Sequence, residues 1–325
     1  MKENNNNKKR WLAAGLALLV LLVSLFTEGK EAKIDENKIR KEAFDKFYQM
    51  DEEELYGSNP LQKISVINVD GVIANDANND TIVDLLEDAR KDPNVAGVIM
   101  HINSPGGSVY ASEKIYKEIK KLQEENKPVY SVMQELAASG GYYISAPSDK
   151  IFASNETFTG SIGVIMQSYS LEGLFEKYGI KEQNITTGKM KDAGSPGKAL
   201  DKEEREYLQN LVDSAFDRFV KVVADGRGMS EADVRKLADG RIYDGSQAVE
   251  NGLVDSIGDL EAAYKDMAKE YNLSDPLAVE KVDAFSNFSK YLPGFKSNKS
   301  DLEVVQELMK AEGLKPMYLY GGSYE

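Results

Sequence analysis

The chain has 325 residues, 40 Lys and Arg against 54 Asp and Glu, and a formal net charge of −14. This acidity argues against a nucleic-acid-binding protein, which needs a basic surface. The absence of cysteine excludes disulfides, thiolate catalysis and cysteine zinc sites, and the single histidine, His101, excludes a metal centre built from several histidines. We therefore expect no metal and no cofactor.

The N-terminus carries a membrane signal. Residues 1–10 are polar and end in three basic residues, and the apolar run from Trp11 to Phe26 follows. A helix over this run covers roughly 24 Å, and local thinning absorbs its mismatch with a hydrocarbon core of about 30 Å. A cleaved signal peptide is the alternative, but "SLFTEGK" is a poor cleavage site. We predict a cytoplasmic tail (1–10), a transmembrane anchor (11–27) and an extracytoplasmic remainder, hence a single-pass protein of the cell membrane.

Strand and helix patterns alternate after a charged segment. Residues 28–58 predict either a partly helical stalk or a solvated linker. The segments that follow predict, in order, a strand in "KISVINVDGVI", a helix in "DTIVDLLEDARKD", a buried strand in "VAGVIMHIN", a helix in "SVYASEKIYKEIKKLQEEN", a strand in "KPVYSVMQ", a short helix in "AASGGYYISAPSD", a strand in "KIFASN", a helix in "LEGLFEKYG" and a strand in "IKEQNITTG". This order predicts an α/β domain with a mainly parallel sheet.

Helical patterns dominate the remaining sequence. The segment "DKEEREYLQNLVDSAFDRFVKVVADGRG" is amphipathic and ends at glycine, and "SEADVRKLAD" opens with a Ser-x-x-Asp capping signal. A further helix is predicted in "LEAAYKDMAKEYN". We place the folded domain at 59–295 and a C-terminal tail at 296–325. The tail ends in "MYLYGGSYE", which could pack as a strand, lie along a neighbour's edge or enter a substrate groove.

The segment "INSPGGSV" (102–109) joins a buried strand to a helix. Its backbone N–H groups could bind developing negative charge, and Gly106 and Gly107 would let a substrate carbonyl approach the backbone. An ordinary strand–turn–helix corner explains the same residues.

The segment "QELAASGGYY" (134–143) places one serine, Ser139, among small residues. Either the turn is too close-packed for larger side chains, or Ser139 is a nucleophile that a substrate must reach. The end of the strand before Ser139 lies at the sheet edge where open α/β sheets bind ligands. The N–H of Gly140 would point near that of Gly106.

A nucleophilic serine needs a base. His101 lies inside a buried strand and more readily fills a core or supporting role, which leaves a lysine. A lysine base must be neutral, although its reference pKa is about 10.4, so it should lie away from carboxylates. Lys189 and Lys191 in "TTGKMKDAGSPGK" (186–198) are both candidates. Ser161 in "TGSIGVI" could orient an amine or fill a turn.

These motifs, in this order behind one anchor, resemble the signal peptide peptidase A family in its short, Gram-positive-type members. The resemblance covers roughly residues 60–265. It implies a crotonase-like fold of ββα units, related to the proteolytic subunit of Clp protease. That subunit carries its catalytic histidine after the serine, whereas this chain has no histidine after Ser139.

The resemblance also implies roles for individual residues. Ser139 would be the nucleophile, Lys191 the general base and Ser161 the residue that positions the amine, with Gly106 and Gly140 supplying the oxyanion hole. Substrates would be remnant signal peptides and other apolar peptides. Because double-length relatives place serine and lysine in different halves, a half-length chain would share its sites between protomers, in a ring of eight subunits. A crotonase-type acyl-CoA enzyme and a catalytically silent membrane scaffold are the rival functions.

Overall fold

The computed structural model describes residues 51–282 and 316–319. The predicted cytoplasmic tail, the anchor and most of the predicted stalk lie outside the described residues, as does most of the predicted C-terminal tail. Within the two described ranges, no helix combines the length and the apolar character that crossing a bilayer requires.

Strands and helices alternate along most of the described chain. The strands are β1 (Asp51–Tyr56), β2 (Asn59–Asp70), β3 (Val95–Ser104), β4 (Gly106–Ser108), β5 (Val129–Ala138), β6 (Lys150–Ala153), β7 (Phe158–Gly160), β8 (Ile242–Tyr243), β9 (Ser256–Ile257), β10 (Pro276–Val282) and β11 (Met317–Leu319). The helices are α1 (Ala77–Lys91), α2 (Val109–Glu124), α3 (Gly140–Ser145), α4 (Glu172–Lys177), α5 (Lys202–Arg227), α6 (Glu231–Leu237), α7 (Gly245–Glu250) and α8 (Leu260–Glu270).

One sheet contains most of the strands, in the order β1-β10-β2-β3-β5-β6-β9. Every neighbouring pair from β10 to β9 is parallel, and β1 is antiparallel to β10. β7 runs parallel to the last residues of β5, and β8 is antiparallel to β7. β4 and β11 form a separate antiparallel pair. The predicted α/β fold with a mainly parallel sheet is therefore confirmed.

The sheet is buried on both faces. Successive residues of a strand point to opposite faces, and β3 shows the consequence. Met100 and Ile102 belong to the larger core cluster, which α1, α2 and α5 also line. Ile99 belongs to the smaller cluster, where it meets Met267 of α8. This burial explains why β3 is a nearly continuous apolar run rather than an alternating one.

Helix boundaries follow the capping signals in the sequence. The Asp201 side chain accepts the Glu204 N–H in a capping box at the start of α5, and the helix ends at Gly228, whose φ is 64°. The Ser230 side chain accepts the N–H of Asp233 at the start of α6. In α2, Ile115, Ile119 and Leu122 recur at helical spacing along one stripe of the sequence, and all three are fully buried.

The structure differs from the sequence prediction at three segments. β1 lies within the range expected as a stalk, and it joins the sheet ahead of the predicted domain start at residue 59 by pairing with β10, a strand that the sequence analysis did not identify. The strand predicted in "IKEQNITTG" (180–188) does not form, and its side chains are exposed. A strand forms only where another strand can hydrogen-bond to it. The acidic strand β1 has such a partner in β10, whereas residues 180–188 have none among the described residues.

Candidate active site

Ser139 occupies a strained turn between β5 and α3. Its φ of 54° and ψ of −113° lie outside the regions that L residues favour, at a cost of order 1–3 kcal/mol. The Ser139 N–H donates to the Gly160 carbonyl at 2.8 Å, and the Tyr143 N–H donates to the Ser139 carbonyl at 2.8 Å. A strained strand-to-helix turn is a geometry by which hydrolases present a serine nucleophile.

Close packing explains the small residues beside Ser139. A Cβ on Gly140 would lie 2.8 Å from Ser112 Oγ and 3.0 Å from both Gly106 Cα and Gly107 N. A side chain at this position would force its neighbours to shift. We call residues 138–141 the nucleophile turn, after the role predicted for Ser139, and Gly106 with Gly107 the Gly-Gly loop. The turn is close-packed against α2 and the Gly-Gly loop.

Both sides of the Gly-Gly loop are fixed. The φ of Gly106 is 96°, which favours glycine. The Ile73 N–H donates to the Gly106 carbonyl at 2.8 Å, and the Ser108 N–H donates to the Ile73 carbonyl at 2.7 Å. Because successive residues of an extended strand point their backbone groups to opposite sides, the Gly107 N–H faces away from Ile73 and toward β11.

Ser104 anchors this loop, a role that the sequence analysis missed. Its buried Oγ donates to the Gly71 carbonyl at 2.7 Å and accepts the Gly106 N–H at 3.1 Å. The N–H of Gly106, a predicted oxyanion donor, therefore has a partner inside the loop. The N–H of Gly107 faces the β11 side of the loop, and Gly107 N packs beside Gly140. Ser104 is part of the "INSPGG" motif, so its position in the motif was the available signal.

Ser161 lies next to Ser139. β5 and β7 are parallel, and Ala138 pairs with Gly160, so the two serines directly follow paired positions. Ser161 also has a positive φ, 49°, and its N–H donates to the Arg241 carbonyl at 2.8 Å. The structure thus brings Ser161, Ser139 and Gly140 to one edge of the sheet.

The predicted lysine segment lies in a different environment. Residues 186–198 form neither helix nor strand, and Lys191 is exposed. Within residues 51–282 and 316–319, neither a hydrogen bond nor an ion pair joins Lys191 to Ser139 or Ser161. One chain therefore assembles the serine part of the predicted site and leaves its lysine outside.

Lys189, the other candidate base, forms an ion pair. Its Nζ donates a hydrogen bond to Glu203, which raises the pKa of Lys189 above its ordinary value. Both side chains are exposed, so solvent weakens the effect. The pairing still favours the ammonium form, which cannot accept a proton. This disfavours Lys189 as a base.

The carboxylate next to Lys191 is neutralised by another amine. Lys198 Nζ lies 3.1 Å from Asp192 Oδ1 and 2.6 Å from Glu204 Oε1. The hydrogen bond from Lys198 lowers the pKa of Asp192. Lys191 itself has no carboxylate partner in the described part of the chain. This meets one requirement of a lysine base, but the other, burial away from water, is not met because Lys191 is exposed.

The C-terminal strand β11 covers the Gly-Gly loop. Tyr318 lies opposite Gly107, and a Cβ on Gly106 would overlap the Tyr318 carbonyl oxygen. The Tyr318 ring is fully buried, stacks on Tyr143 at 4.8 Å between centroids and contacts Phe219. On its other edge β11 bridges to residue 165. A short extended segment therefore occupies the space above the loop by strand pairing.

A cavity of about 590 Å³ adjoins β11 and Ser161. Its lining includes the apolar residues Ile165, Phe216 and Leu319. Two carboxylates, Asp213 of α5 and Asp239 of a loop, also line it. The cavity therefore has a lining of mixed polarity, and it lies beside the edge to which β11 bridges.

His101 hydrogen-bonds a side chain of the neighbouring strand β2. It is half-buried, and its Nδ1 lies 3.1 Å from Asn68 Oδ1. Asn68 in turn hydrogen-bonds Glu280. Burial lowers the pKa of His101, while the Asp70 carboxylate opposes this shift. His101 lies between Met100 and Ile102 on β3, so it points to the sheet face opposite the larger core.

Known proteins match almost the whole chain. Residues 121–274 match the model of peptidase family S49, and residues 51–157 match the Clp protease model. A protein of Enterococcus faecium named as a signal peptide peptidase SppA is 41% identical over 342 aligned positions, which cover 97% of this chain and 99% of its own length.

Longer proteases match the chain over part of their length. Protease 4 of Haemophilus influenzae is 36% identical over 80% of this chain and 42% of its own length. The chloroplastic serine protease SPPA of Arabidopsis thaliana is 34% identical over 59% of this chain and 28% of its own. The near-complete alignment with the Enterococcus protein and the family match together mean that this chain belongs to peptidase family S49 and is a serine protease.

Proposed function

We propose that this serine protease is a membrane-anchored endopeptidase with Ser139 as nucleophile and Lys191 as general base. The observation that carries the proposal is the strained turn at Ser139, packed against a loop rich in backbone donors. The crotonase-like arrangement of ββα units implied by the resemblance suits such a site. The only histidine of the chain contacts Asn68 instead, and Lys189 is paired with Glu203.

We expect Lys191 to act on Ser139 of a neighbouring subunit. Lys191 is exposed and separate from the nucleophile turn within one chain. The preceding residues expose large apolar side chains, among them Leu174 (50%), Tyr178 (67%) and Ile180 (53%). Contiguous exposed apolar groups mark interaction surfaces, and burial in an interface disfavours a charged amine. A closed homo-oligomeric ring would satisfy every such surface, and the short relatives suggest eight subunits.

The reaction begins when neutral Lys191 takes the proton of Ser139 as Oγ attacks the scissile carbonyl carbon. The carbonyl oxygen becomes an anion, and protonated Lys191 then gives its proton to the leaving amine as the C–N bond breaks. The acyl-enzyme is hydrolysed by a water that Lys191 deprotonates. Ser161, adjacent to Ser139 at the sheet edge, would accept or donate a hydrogen bond that orients the amine.

The oxyanion would be held by backbone N–H groups of the nucleophile turn and the Gly-Gly loop. We propose Gly140 and the Gly106–Gly107 peptide unit for this role. Because the Gly106 N–H donates to Ser104, we propose the Gly107 N–H, which faces the strand-binding side of the loop, as the donor of this unit. Preorganised donors of this kind contribute about 3–4 kcal/mol each to lowering the barrier.

The substrates would be extended apolar peptides, in particular remnant signal peptides left in the membrane. The pairing of β11 with β4 supports binding by strand addition, because it is an example of such pairing at this loop. The relative named as a signal peptide peptidase covers nearly the whole chain. An anchor over residues 11–27 would hold the domain outside the cytoplasm, beside these substrates.

A fluorogenic apolar peptide tests the assignment in detergent-solubilised full-length protein. We expect Ser139→Ala and Lys191→Ala to lower kcat/KM by about 1,000-fold or more. Lys189→Ala is the matched control, because it removes an amine from the same segment, and it should keep most of the activity. Equal loss in Lys189→Ala would mean that the base is assigned to the wrong lysine.

The same assay separates the rival functions. A crotonase-type enzyme would turn over an acyl-CoA thioester and leave the peptide intact. A silent scaffold would leave both substrates intact in every variant. Peptidase activity that survives both Ser139→Ala and Lys191→Ala would eliminate the dyad.

A further inference from the structure

Ser112 carries a buried hydroxyl without a partner. The residue lies in the first turn and a half of α2 and is 0% exposed. Its Oγ has no hydrogen-bond partner within the described part of the chain. Buried polar atoms are nearly always paired, so each exception calls for a physical explanation.

The orientation of this hydroxyl differs from that of comparable helical residues. Serine and threonine inside helices commonly donate to the carbonyl one turn earlier. Ser145 Oγ donates to the Gly141 carbonyl at 2.8 Å, and Thr81 Oγ1 donates to the Ala77 carbonyl at 2.9 Å. Ser112 makes no such bond and points its oxygen at the neighbouring turn.

The hydroxyl packs beside the backbone of the proposed oxyanion hole. Ser112 Oγ lies 2.8 Å, and Gly107 N 3.0 Å, from the point that a Cβ on Gly140 would occupy. Oγ therefore packs directly against the Gly140 backbone, on the same side as Gly107 N and next to Ser139. A hydroxyl here lacks an acceptor in the free enzyme and would find one when a substrate carbonyl oxygen becomes an anion.

We propose that Ser112 supplies a third hydrogen-bond donor to the oxyanion hole, which gains its acceptor only as the tetrahedral intermediate forms. The proposal rests on the proposed function, since it needs Ser139 to attack a carbonyl. A donor used in the transition state and not with bound substrate raises kcat without changing KM. A hydroxyl without an acceptor lowers the stability of the free enzyme, so function and stability oppose each other at this residue.

The test compares Ser112→Ala with Ser148→Ala in the full-length protein. Ser148 is also buried, but its Oγ lies 2.7 Å from Ser131 Oγ, so its hydroxyl has a partner. We expect Ser112→Ala to lower kcat about tenfold or more with KM unchanged, and to melt at the same or a higher temperature. Ser148→Ala should show the reverse, a lower melting temperature and unchanged kcat.

A peptide aldehyde adds a readout that packing alone would not change. The aldehyde carbon bonds to the serine oxygen and mimics the tetrahedral intermediate. Its inhibition constant for Ser112→Ala should rise by the same factor by which kcat/KM falls. Ser112→Cys is closest in shape and replaces the hydroxyl by a weak donor, so it should resemble Ser112→Ala rather than wild type.

Two results would overturn the proposal. A kcat within twofold of wild type in Ser112→Ala would show that the hydroxyl does not contribute to catalysis, whatever the melting temperature. Full activity in Ser112→Cys would show that only the volume of the side chain matters. Failure of the proposed function is a different result, because Ser139→Ala would then hydrolyse the peptide as well as wild type does.

Discussion

The nucleophile turn and the lysine segment are built in opposite ways. Ser139 is 1% exposed and lies at the end of a strand in the middle of the sheet, where backbone bonds hold an unfavourable φ. Residues 186–198 lack regular structure, and Lys191 faces solvent. Strain at Ser139 persists because the surrounding fold determines it, whereas nothing described within one chain determines the position of the Lys191 amine.

Under the proposed mechanism, the serine half of the site would form within one chain and the lysine half would be completed by assembly. Lys189 and Lys198, on either side of Lys191, pair with glutamates. Those ion pairs attach the segment to the start of α5 and leave Lys191 without a partner among the described residues. Under the proposed mechanism, a neighbouring subunit would supply the contact with Ser139.

The largest expected effect comes from mixing two inactive variants. Ser139→Ala subunits keep the lysine, and Lys191→Ala subunits keep the serine. Co-expression with two affinity tags, followed by tandem purification, yields mixed oligomers. If the dyad forms between subunits, random assembly restores about a quarter of the sites. Peptidase activity of the doubly tagged fraction is the measurement, and each variant alone should stay at least about 1,000-fold below wild type.

An inactive mixed oligomer would contradict a dyad formed between Ser139 of one subunit and Lys191 of another. In a site formed within one chain, no mixed oligomer can contain a complete dyad. The control is a mixture in which both subunits carry Ser139→Ala, which should remain inactive in either arrangement.

Deletion of residues 316–325 tests whether β11 blocks substrate binding beside Ser139. β11 lies over the Gly-Gly loop and buries Tyr318 against Tyr143 and Phe219. If the tail occupies the substrate groove, its removal should raise kcat/KM for a short peptide several-fold, mainly through a lower KM. If β11 is only a packing strand, turnover stays the same or falls with the melting temperature.

Tyr318→Ala is the matched variant for the deletion. It removes the buried ring and keeps the strand, and loss of a large buried aromatic costs about 3–5 kcal/mol. Loss of stability in both variants without a gain in turnover would contradict the groove-occupying role.

The smallest expected effect concerns His101, which lies on β3 in the same sheet as β5, the strand before Ser139. Burial lowers the pKa of His101, so the folded state binds a proton less readily than the unfolded state, whose histidine pKa is about 6.5. The stability of the fold should therefore decrease as pH falls below about 6.5. The difference is about 1.4 kcal/mol for each unit by which folding lowers the pKa.

Urea unfolding of wild type and His101→Gln between pH 5 and about 8 measures this difference. The other acidic groups titrate in both proteins, so the gap between the two curves isolates the only histidine of the chain. A gap that does not change with pH would contradict the buried, neutral state of His101.

Local patterns were enough to predict much of the fold. The periodicity of Ile115, Ile119 and Leu122 predicted the buried face of α2, and the residues at 201, 228 and 230 predicted helix ends. β1 was missed because its acidic sequence resembles a solvated linker. Its partner β10 lies more than two hundred positions later in the chain, and no local pattern shows that pairing.

The sequence by itself determined the residue types of the site: a serine between small residues, a Gly-Gly loop after a buried strand, and lysines with no later histidine. These are short-range features, because backbone sterics decide which residues tolerate a positive φ or a close approach. Only the tertiary structure decided which groups meet. It joined Ser104 to Gly106, brought Ser112 to Gly140 and paired Lys189 with Glu203. These contacts depend on how helices, strands and loops pack against each other in three dimensions. The spacing of residues along the chain does not predict that packing.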